Sequence, residues 1–258
     1  MPNSTPISTA VLLAAGCGTR LQPLTLSAPK CLTPVAGETI LHRLIQHLRT
    51  HGITRLVVVI GYRGDQVQRY LLEHASDLKL EFVVNEDYQT TNNIYSLWLA
   101  KKHIRDAFIL LESDLVFESS MLADLLTPDR IAVSSPLPWM NGTMLEVDDQ
   151  SHAKRFHLGK NLTENRLFKT VNICSLSYES WTKVAARMDE YVSDEKLNEY
   201  YEAVFAALVD EGALDFEVVK FRNNRWYEID TLEDLEAANH LYDEESDMTS
   251  VTSYAEAR

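Results

Sequence analysis

Three short, unbroken apolar runs set the strongest constraint on how this chain can fold. They are residues 11–15 (VLLAA), 56–60 (LVVVI) and 107–111 (AFILL). A strand that is apolar on both faces has to be covered on both faces, as in a parallel sheet layered with helices. The intervening segments fit that covering role. Residues 40–52 place Ile40, Leu41, Leu44, Ile45 and Leu48 at helical spacing and stop at Gly52. Residues 64–74 read as a second helix and residues 80–84 as a further strand, and Asn92 or Asn93 can cap a helix through Ile94, Leu97, Trp98 and Leu99. The alternation predicts an open α/β sheet with helices on both faces.

From about residue 136 the pattern changes. Residues 144–147, 154–157 and 169–175 read as shorter, partly polar strands joined by the turn-like pairs Asn141-Gly142 and Asp148-Asp149. Helices over 178–191 and 199–210 and a strand over 216–221 follow. Residues 226–230 (WYEID) read as a strand end, and Thr231 as the cap of a helix over 232–242. We expect one domain over 1–242, with a distinct subregion at about 136–215. Residues 243–258, acidic and without apolar periodicity, read as a mobile tail.

Ligands of open α/β sheets sit beyond the carboxyl ends of the strands. There the first run turns through a loop in which Ala14, Ala15, Gly16 and Gly18 carry almost no side chain, so backbone N–H groups can approach a polyphosphate closely. Arg20 and Lys30 would supply the matching positive charge. A strand followed by an ordinary glycine turn is the competing reading of the loop alone. The formal charge of −14, from 24 basic and 38 acidic residues, opposes nucleic acid and anionic membrane surfaces at long range, so phosphate chemistry requires a local basic pocket or a divalent metal.

Acidic residues suited to such a metal lie at corresponding places. Asp114 follows the 107–111 run at the same sheet edge and can hold Mg²⁺ against phosphate oxygens. Glu228 and Asp230 stand two apart, which on a strand turns both to one face, and with Asp114 they could complete an octahedral oxygen site. Each taken singly is equally well a solvated strand-end carboxylate. Residues 85–97 offer amides and hydroxyls, Asn85, Thr91, Asn92 and Ser96 among them, of the kind that recognise a nucleobase or ribose. Lys169 and Asn172 could receive a second, anionic substrate, whereas Lys160 and Arg166 read as solvated surface charges. Trp139 lies in a loop and could face an ammonium group or act as a lid over the core.

No stretch approaches the roughly 20 apolar residues of a membrane span, and residues 1–9 lack signal-peptide character, so cytoplasmic residence is expected. Cys17, Cys31 and Cys174 are odd in number and lack C-x-x-C spacing, which argues against a disulfide framework or zinc site. Cys17 reads as a small, buried, neutral thiol, and the eight histidines show no metal-binding spacing.

The opening loop resembles the signature of the nucleotidyltransferases that make sugar nucleotides and related activated compounds. The matching residues are Leu13-Ala14-Ala15-Gly16-Cys17-Gly18-Thr19-Arg20-Leu21, Pro23-Leu24-Thr25 and Pro29-Lys30. Residues 91–97 (TNNIYSL), 139–143 (WMNGT), 169–173 (KTVNI) and 226–230 are similar to the branch containing phosphocholine and 2-aminoethylphosphonate cytidylyltransferases. The resemblance implies a Rossmann-like open mixed sheet of the nucleotide-diphospho-sugar transferase type, with a smaller β-rich acceptor-binding subregion. It implies CTP and a small phosphonate or phosphate ester as substrates, a CMP-linked product and Mg²⁺ as cofactor, with no nucleic acid or membrane partner. Oligomeric state stays open, a homodimer included.

Carried onto this chain, the resemblance gives Arg20 and Lys30 the catalytic charge and Leu13 to Gly16, Gly18 and Thr19 the triphosphate. It gives Asn85, Thr91, Asn92 and Ser96 the cytidine, Asp114, Glu228 and Asp230 the metal, and Trp139, Lys169 and Asn172 the acceptor. Residues 91–98 and 226–235 lie closer to the phosphonate enzymes than to the phosphocholine ones. A phosphosugar enzyme using UTP or dTTP and a non-catalytic nucleotide-binding module are the competing readings.

Overall fold

The computed structural model describes residues 6–137, 140–159, 167–222 and 226–242. Strand β1 (Thr9–Ala14) leads through three short 3-10 turns into the β2–β3 hairpin (Pro34–Val35, Glu38–Thr39) and helix α1 (Ile40–Thr50). Then come β4 (Arg55–Ile60), α2 (Gly64–His74), β5 (Lys79–Val84), α3 (Asn93–Ala100) and β6 (Phe108–Glu112). The second half runs β7 (Leu115–Phe117), β8 (Arg130–Ser134), β9 (Met144–Val147), β10 (Ala153–His157), β11 (Leu167–Leu176), α4 (Tyr178–Ser193), α5 (Glu202–Asp210), β12 (Glu217–Phe221) and β13 (Trp226–Glu228). A last helix, α6, covers residues 232–242.

The three apolar runs are adjacent parallel strands. β1 lies between β4 and β6, with Val11 opposite both Val57 and Leu110, and β5 extends the sheet beyond β4. On the other side β11 pairs antiparallel with β6, β9 and β8, and β12 runs parallel to β8. The sheet is therefore mixed, its parallel half built from βα units and its antiparallel half from the partly polar strands. β7 and β13 form a separate two-stranded antiparallel ribbon, with Glu228 opposite Leu115.

Strand alternation assigns the two faces. Ala10, Leu12, Leu56, Val58, Ile109 and Leu111 pack under Leu41, Leu44 and Ile45 of α1 and Val67 and Leu71 of α2. Val11, Leu13, Val57, Val59, Phe108 and Leu110 face Ile94 and Leu97 of α3 and Trp181, Val184 and Met188 of α4. Both faces are thus buried, as continuous apolar strands require. Local capping agrees with the chain chemistry: Thr39 accepts from the His42 amide at 3.1 Å, Asn92 from the Asn93 amide at 2.8 Å, and Ser177 from the Ser180 amide at 3.0 Å.

Helix α5 and strand β8 differ from expectation. The helix expected from residue 199 begins at Glu202; the Tyr200 and Tyr201 carbonyls accept its first amides, while the segment's other bonds run to the start of α3. The Asn92 amide donates to the Leu197 carbonyl at 2.9 Å, and the Tyr201 amide donates to Asn93 Oδ1 at 2.9 Å. β8, which sequence reading passed over, is a core strand whose Ile131, Ala132 and Val133 are buried. Among the described residues no helix is long and apolar enough to cross a membrane. The acidic segment 243–258 lies outside the described residues.

One buried histidine makes stability pH-dependent. His47 of α1 packs on Phe117 with ring centroids 5.1 Å apart, and burial, then the charges of Arg43 and His51, pull it from its usual 6.5 to about 4. A folded-state value below the unfolded one means that its contribution is complete above pH 6.5 and is lost as pH falls toward 4. Thermal melts at pH 7 and 4.5 are expected to show a smaller acid-induced drop in Tm for His47→Gln than for the unaltered chain. Equal drops would remove His47 from the account.

Candidate active site

The ends of β1 and β6 open into a cavity of about 290 Å³. Its walls include Leu13, Ala14, Ala15, Gly16, Gly18, Thr19, Arg20 and Lys30 from the first loop, and Asn85, Thr91, Asn92 and Ser96 from the segment before and within α3. Asp114 and Asp230 complete one side. Every phosphate-loop and cytidine-side residue expected from sequence therefore lines one space.

The loop is shaped by close backbone approach. Gly18 takes a left-handed conformation, φ +59°, and a Cβ there would lie 3.1 Å from both Lys30 Cβ and Thr25 Cγ2. Thr25 fixes this turn by donating its hydroxyl to the Gly18 carbonyl at 2.8 Å. Gly61 is equally constrained, since a Cβ would stand 2.7 Å from the Ala15 carbonyl, to which the Tyr62 amide donates at 3.0 Å. Cys17 is half-buried, less enclosed than its sequence context suggested, and burial still holds its thiol above the usual range and so neutral.

Lys30 is the electrostatic hinge of the site. Its Nζ donates to Asp114 Oδ2 at 2.8 Å and to Asp230 Oδ1 at 2.7 Å, bridging residues 84 and 200 positions away in the chain. Arg20 pairs with the other oxygen, Asp230 Oδ2, at 2.8 Å. The Lys30 side chain is 11% exposed and that of Arg20 66%. Burial by itself would lower the Lys30 pKa, but Asp114 and Asp230 outweigh it and hold the ammonium firmly charged. The carboxylates come together because the Ile229 amide donates to the Asp114 carbonyl at 2.9 Å, beside the β7–β13 ribbon. The turn after Asp230 is closed by Asp234 Oδ2, which accepts from the Asp230 and Thr231 amides and the Thr231 hydroxyl.

Glu228 takes different partners from Asp230, two residues on. Lys169 Nζ lies 3.4 Å from Glu228 Oε2, and Asn172 Nδ2 donates to Glu228 Oε1 at 3.4 Å. Neither Glu228, Lys169 nor Asn172 lines the cavity. Among the described residues no three His, Cys, Asp or Glu side chains gather as a metal site, so the three carboxylates stand as one pair, Asp114 with Asp230, and a neighbour held by its own cation. Asp114 Oδ1 is buried without a hydrogen-bond partner. Trp139, Lys160 and Arg166 lie outside the described residues.

Asn85 is 1% exposed and its amide is fully engaged. It donates to Thr91 Oγ1 at 3.2 Å and Ser96 Oγ at 3.0 Å, and accepts from the Asp87 amide at 3.0 Å. It shapes the wall on which Thr91 and Ser96 sit. Tyr88 and Asn93 of the 85–97 stretch also line the cavity, and so do Glu112 and Tyr200, to which the sequence pattern assigns no role. Asn93 Nδ2 donates to Glu112 Oε1 at 3.0 Å. Burial, reinforced by Asp114, Glu202 and Glu228, pushes the Glu112 pKa well above the carboxylate range. The sequence signal for Glu112 is a carboxylate directly after the 107–111 apolar run, two residues before Asp114.

Known proteins resemble this chain in sequence and fold. Residues 10–136 match the model of the MobA-like NTP transferase domain. CMP-5'-(3-aminopropyl)phosphonate synthase of Streptomyces rubellomurinus is 31% identical over 247 residues, covering 89% of this chain, which spans 38% of that protein. Choline-phosphate cytidylyltransferase of Streptococcus pneumoniae is 26% identical over 227 residues, covering 87% of this chain and 94% of that one. The solved structure of CTP:phosphocholine cytidylyltransferase from Streptococcus pneumoniae superposes with a TM-score of 0.78 at 24% identity, over 92% of this chain and 100% of that chain, and so shares the fold. Residues 10–136 thus match a MobA-like NTP transferase domain, and the chain as a whole shares the fold of the solved cytidylyltransferase.

Proposed function

We propose that this chain is a CTP-dependent cytidylyltransferase that joins CMP to a small phosphonate such as 2-aminoethylphosphonate and releases pyrophosphate. The observation that carries the reading is the buried Lys30 ammonium, held between Asp114 and Asp230 beneath a small-residue loop in one cavity. The phosphonate acceptor is favoured by the relative named for an aminopropylphosphonate product, whose likeness runs through 89% of this chain. Phosphocholine is the second reading, favoured by a choline-phosphate relative matched over 94% of its own length.

In this reading the backbone N–H groups of residues 14–19 cradle the triphosphate, and Lys30 and Arg20 neutralise it. Thr91, Asn92 and Ser96, on the wall that Asn85 shapes, face the cytidine. An acceptor oxygen attacks the α-phosphorus in line, the new P–O bond forms, and the bond to pyrophosphate breaks. The nucleophile is already anionic at neutral pH, so the chain's task is to bring two anions together and to spread the developing charge.

The donor set fits a hard divalent cation: two carboxylates already share one cation, and Asp114 keeps a buried oxygen with no partner. Asp114 and Asp230 would hold Mg²⁺, with Glu228 beside them, and the ion when bound supplies charge neutralisation at the phosphates. Lys169 and Asn172 act on the site through Glu228. The reaction so described involves neither nucleic acid nor membrane and belongs in the cytoplasm, where CTP is available.

Pyrophosphate release tests the reading, with CTP, UTP and dTTP each offered 2-aminoethylphosphonate, phosphocholine and glucose 1-phosphate. CTP with 2-aminoethylphosphonate is expected to turn over fastest. Turnover confined to UTP or dTTP with the phosphosugar, or nucleotide binding with no turnover of any acceptor, would overturn it.

A further inference from the structure

The position that a divalent cation would take between Asp114 and Asp230 is held in this structure by a group of the chain itself. Lys30 Nζ contacts Asp114 Oδ2 at 2.8 Å and Asp230 Oδ1 at 2.7 Å, and Arg20 contacts the remaining oxygen of Asp230. Two carboxylates and two cations balance. A free divalent ion entering that balanced group would sit at contact distance from an ammonium with little water between to screen it, because the Lys30 side chain is only 11% exposed. A triphosphate changes the terms, since it offers Lys30 and Arg20 new anionic partners as it arrives.

The path for such an exchange is short. The Lys30 stem runs directly under the glycine loop, where a Cβ on Gly18 would stand 3.1 Å from Lys30 Cβ and 3.4 Å from Lys30 Cδ. The four-carbon stem is flexible, and its ammonium has three rotatable donors. Rotation about that stem would move Nζ off the carboxylates while the stem stays beneath the loop. Arg20, 66% exposed, sits at the rim, where solvent weakens its hold on Asp230.

We infer that Lys30 is a placeholder cation, which closes the Asp114–Asp230 position to free divalent metal and yields it to a metal–triphosphate complex. The ligand that the site selects is then the chelate and not its two components in turn. This rests on the nucleotide reading above for the identity of the anion that draws Lys30 away.

Manganese(II), followed by loss of its free-ion electron paramagnetic resonance signal, tests the inference on nucleotide-free protein. Lys30→Gln is expected to bind Mn²⁺ about tenfold more tightly than the unaltered chain, or better. Arg20→Gln removes the same charge from the outer oxygen of Asp230 and is expected to change the affinity by no more than about threefold. Adding Asp114→Asn to Lys30→Gln is expected to abolish the gain. Equal Mn²⁺ affinity in the unaltered chain and Lys30→Gln overturns the inference, and so does an equal gain in Arg20→Gln, which would mean that only net charge matters.

If Lys30→Gln does not fold, a crystal structure of the unaltered chain with CTP and Mn²⁺ decides. Lys30 Nζ on phosphate oxygens supports the inference, and Lys30 still bridging both carboxylates overturns it. The manganese titration contains no nucleotide, so its failure leaves the cytidylyltransferase reading standing. A chain that shows the Lys30→Gln gain yet releases no pyrophosphate fails that reading alone.

Discussion

Lys30→Ala is expected to lower the rate of pyrophosphate release by roughly a hundredfold or more, a loss read in kcat and not only in KM. The size follows from where the charge sits. An ammonium 11% exposed, beside a loop of backbone donors, acts where water cannot substitute for it, whereas Arg20 at 66% exposure is screened and its loss should cost less. Alanine also leaves Asp114 and Asp230 facing each other without their shared cation, so thermal melts need to accompany the kinetics. A folded Lys30→Ala chain that releases pyrophosphate at the unaltered rate would remove Lys30 from the chemistry.

Lys169→Ala is expected to act on stability, by about 3 kcal/mol, because it strips the cation from a buried acidic neighbourhood. Lys169 is 2% exposed, donates to the Thr170 carbonyl at 2.6 Å and pairs with Glu228 at 3.4 Å. Its tip fits against Gly142, where a Cβ would stand 3.3 Å from Lys169 Cε. Glu202, which burial pushes up to about 7, is also held down by the Lys169 charge. Without Lys169, Glu228 loses its ion pair and Glu202 a compensating charge. Urea denaturation at pH 7 measures the difference. A loss below about 1 kcal/mol, as for an exposed lysine, would return Lys169 to the role of a simple acceptor contact.

Both variants turn on contacts that residue spacing alone could not reveal. The i, i+2 placement of Glu228 and Asp230 predicts one shared face, but β13 ends at Glu228, and Asp230 binds Lys30 and Arg20 while Glu228 binds Lys169 and Asn172. Spacing along a strand gives a face; which cation waits on that face depends on strands far away in sequence. Asn85 shows the same limit. Its residue type suggested a ligand contact, and only the folded loop shows that Thr91, Ser96 and the Asp87 amide consume its amide.

The layered sheet and the small-residue loop after β1 are legible in the residues alone. Their signals are local: two-faced apolar runs, helical spacing, cap residues and a stretch of small side chains, each acting within a dozen or so neighbours. The bounds of α2 and β9 could be read directly for that reason. The charge pairing arises only on folding. Lys30, Asp114 and Asp230 meet across 84 and 200 residues because the β7–β13 ribbon brings Ile229 against Asp114. Coulomb attraction acts over a few ångströms in space, and a linear chain carries no record of which of its charges will come that close.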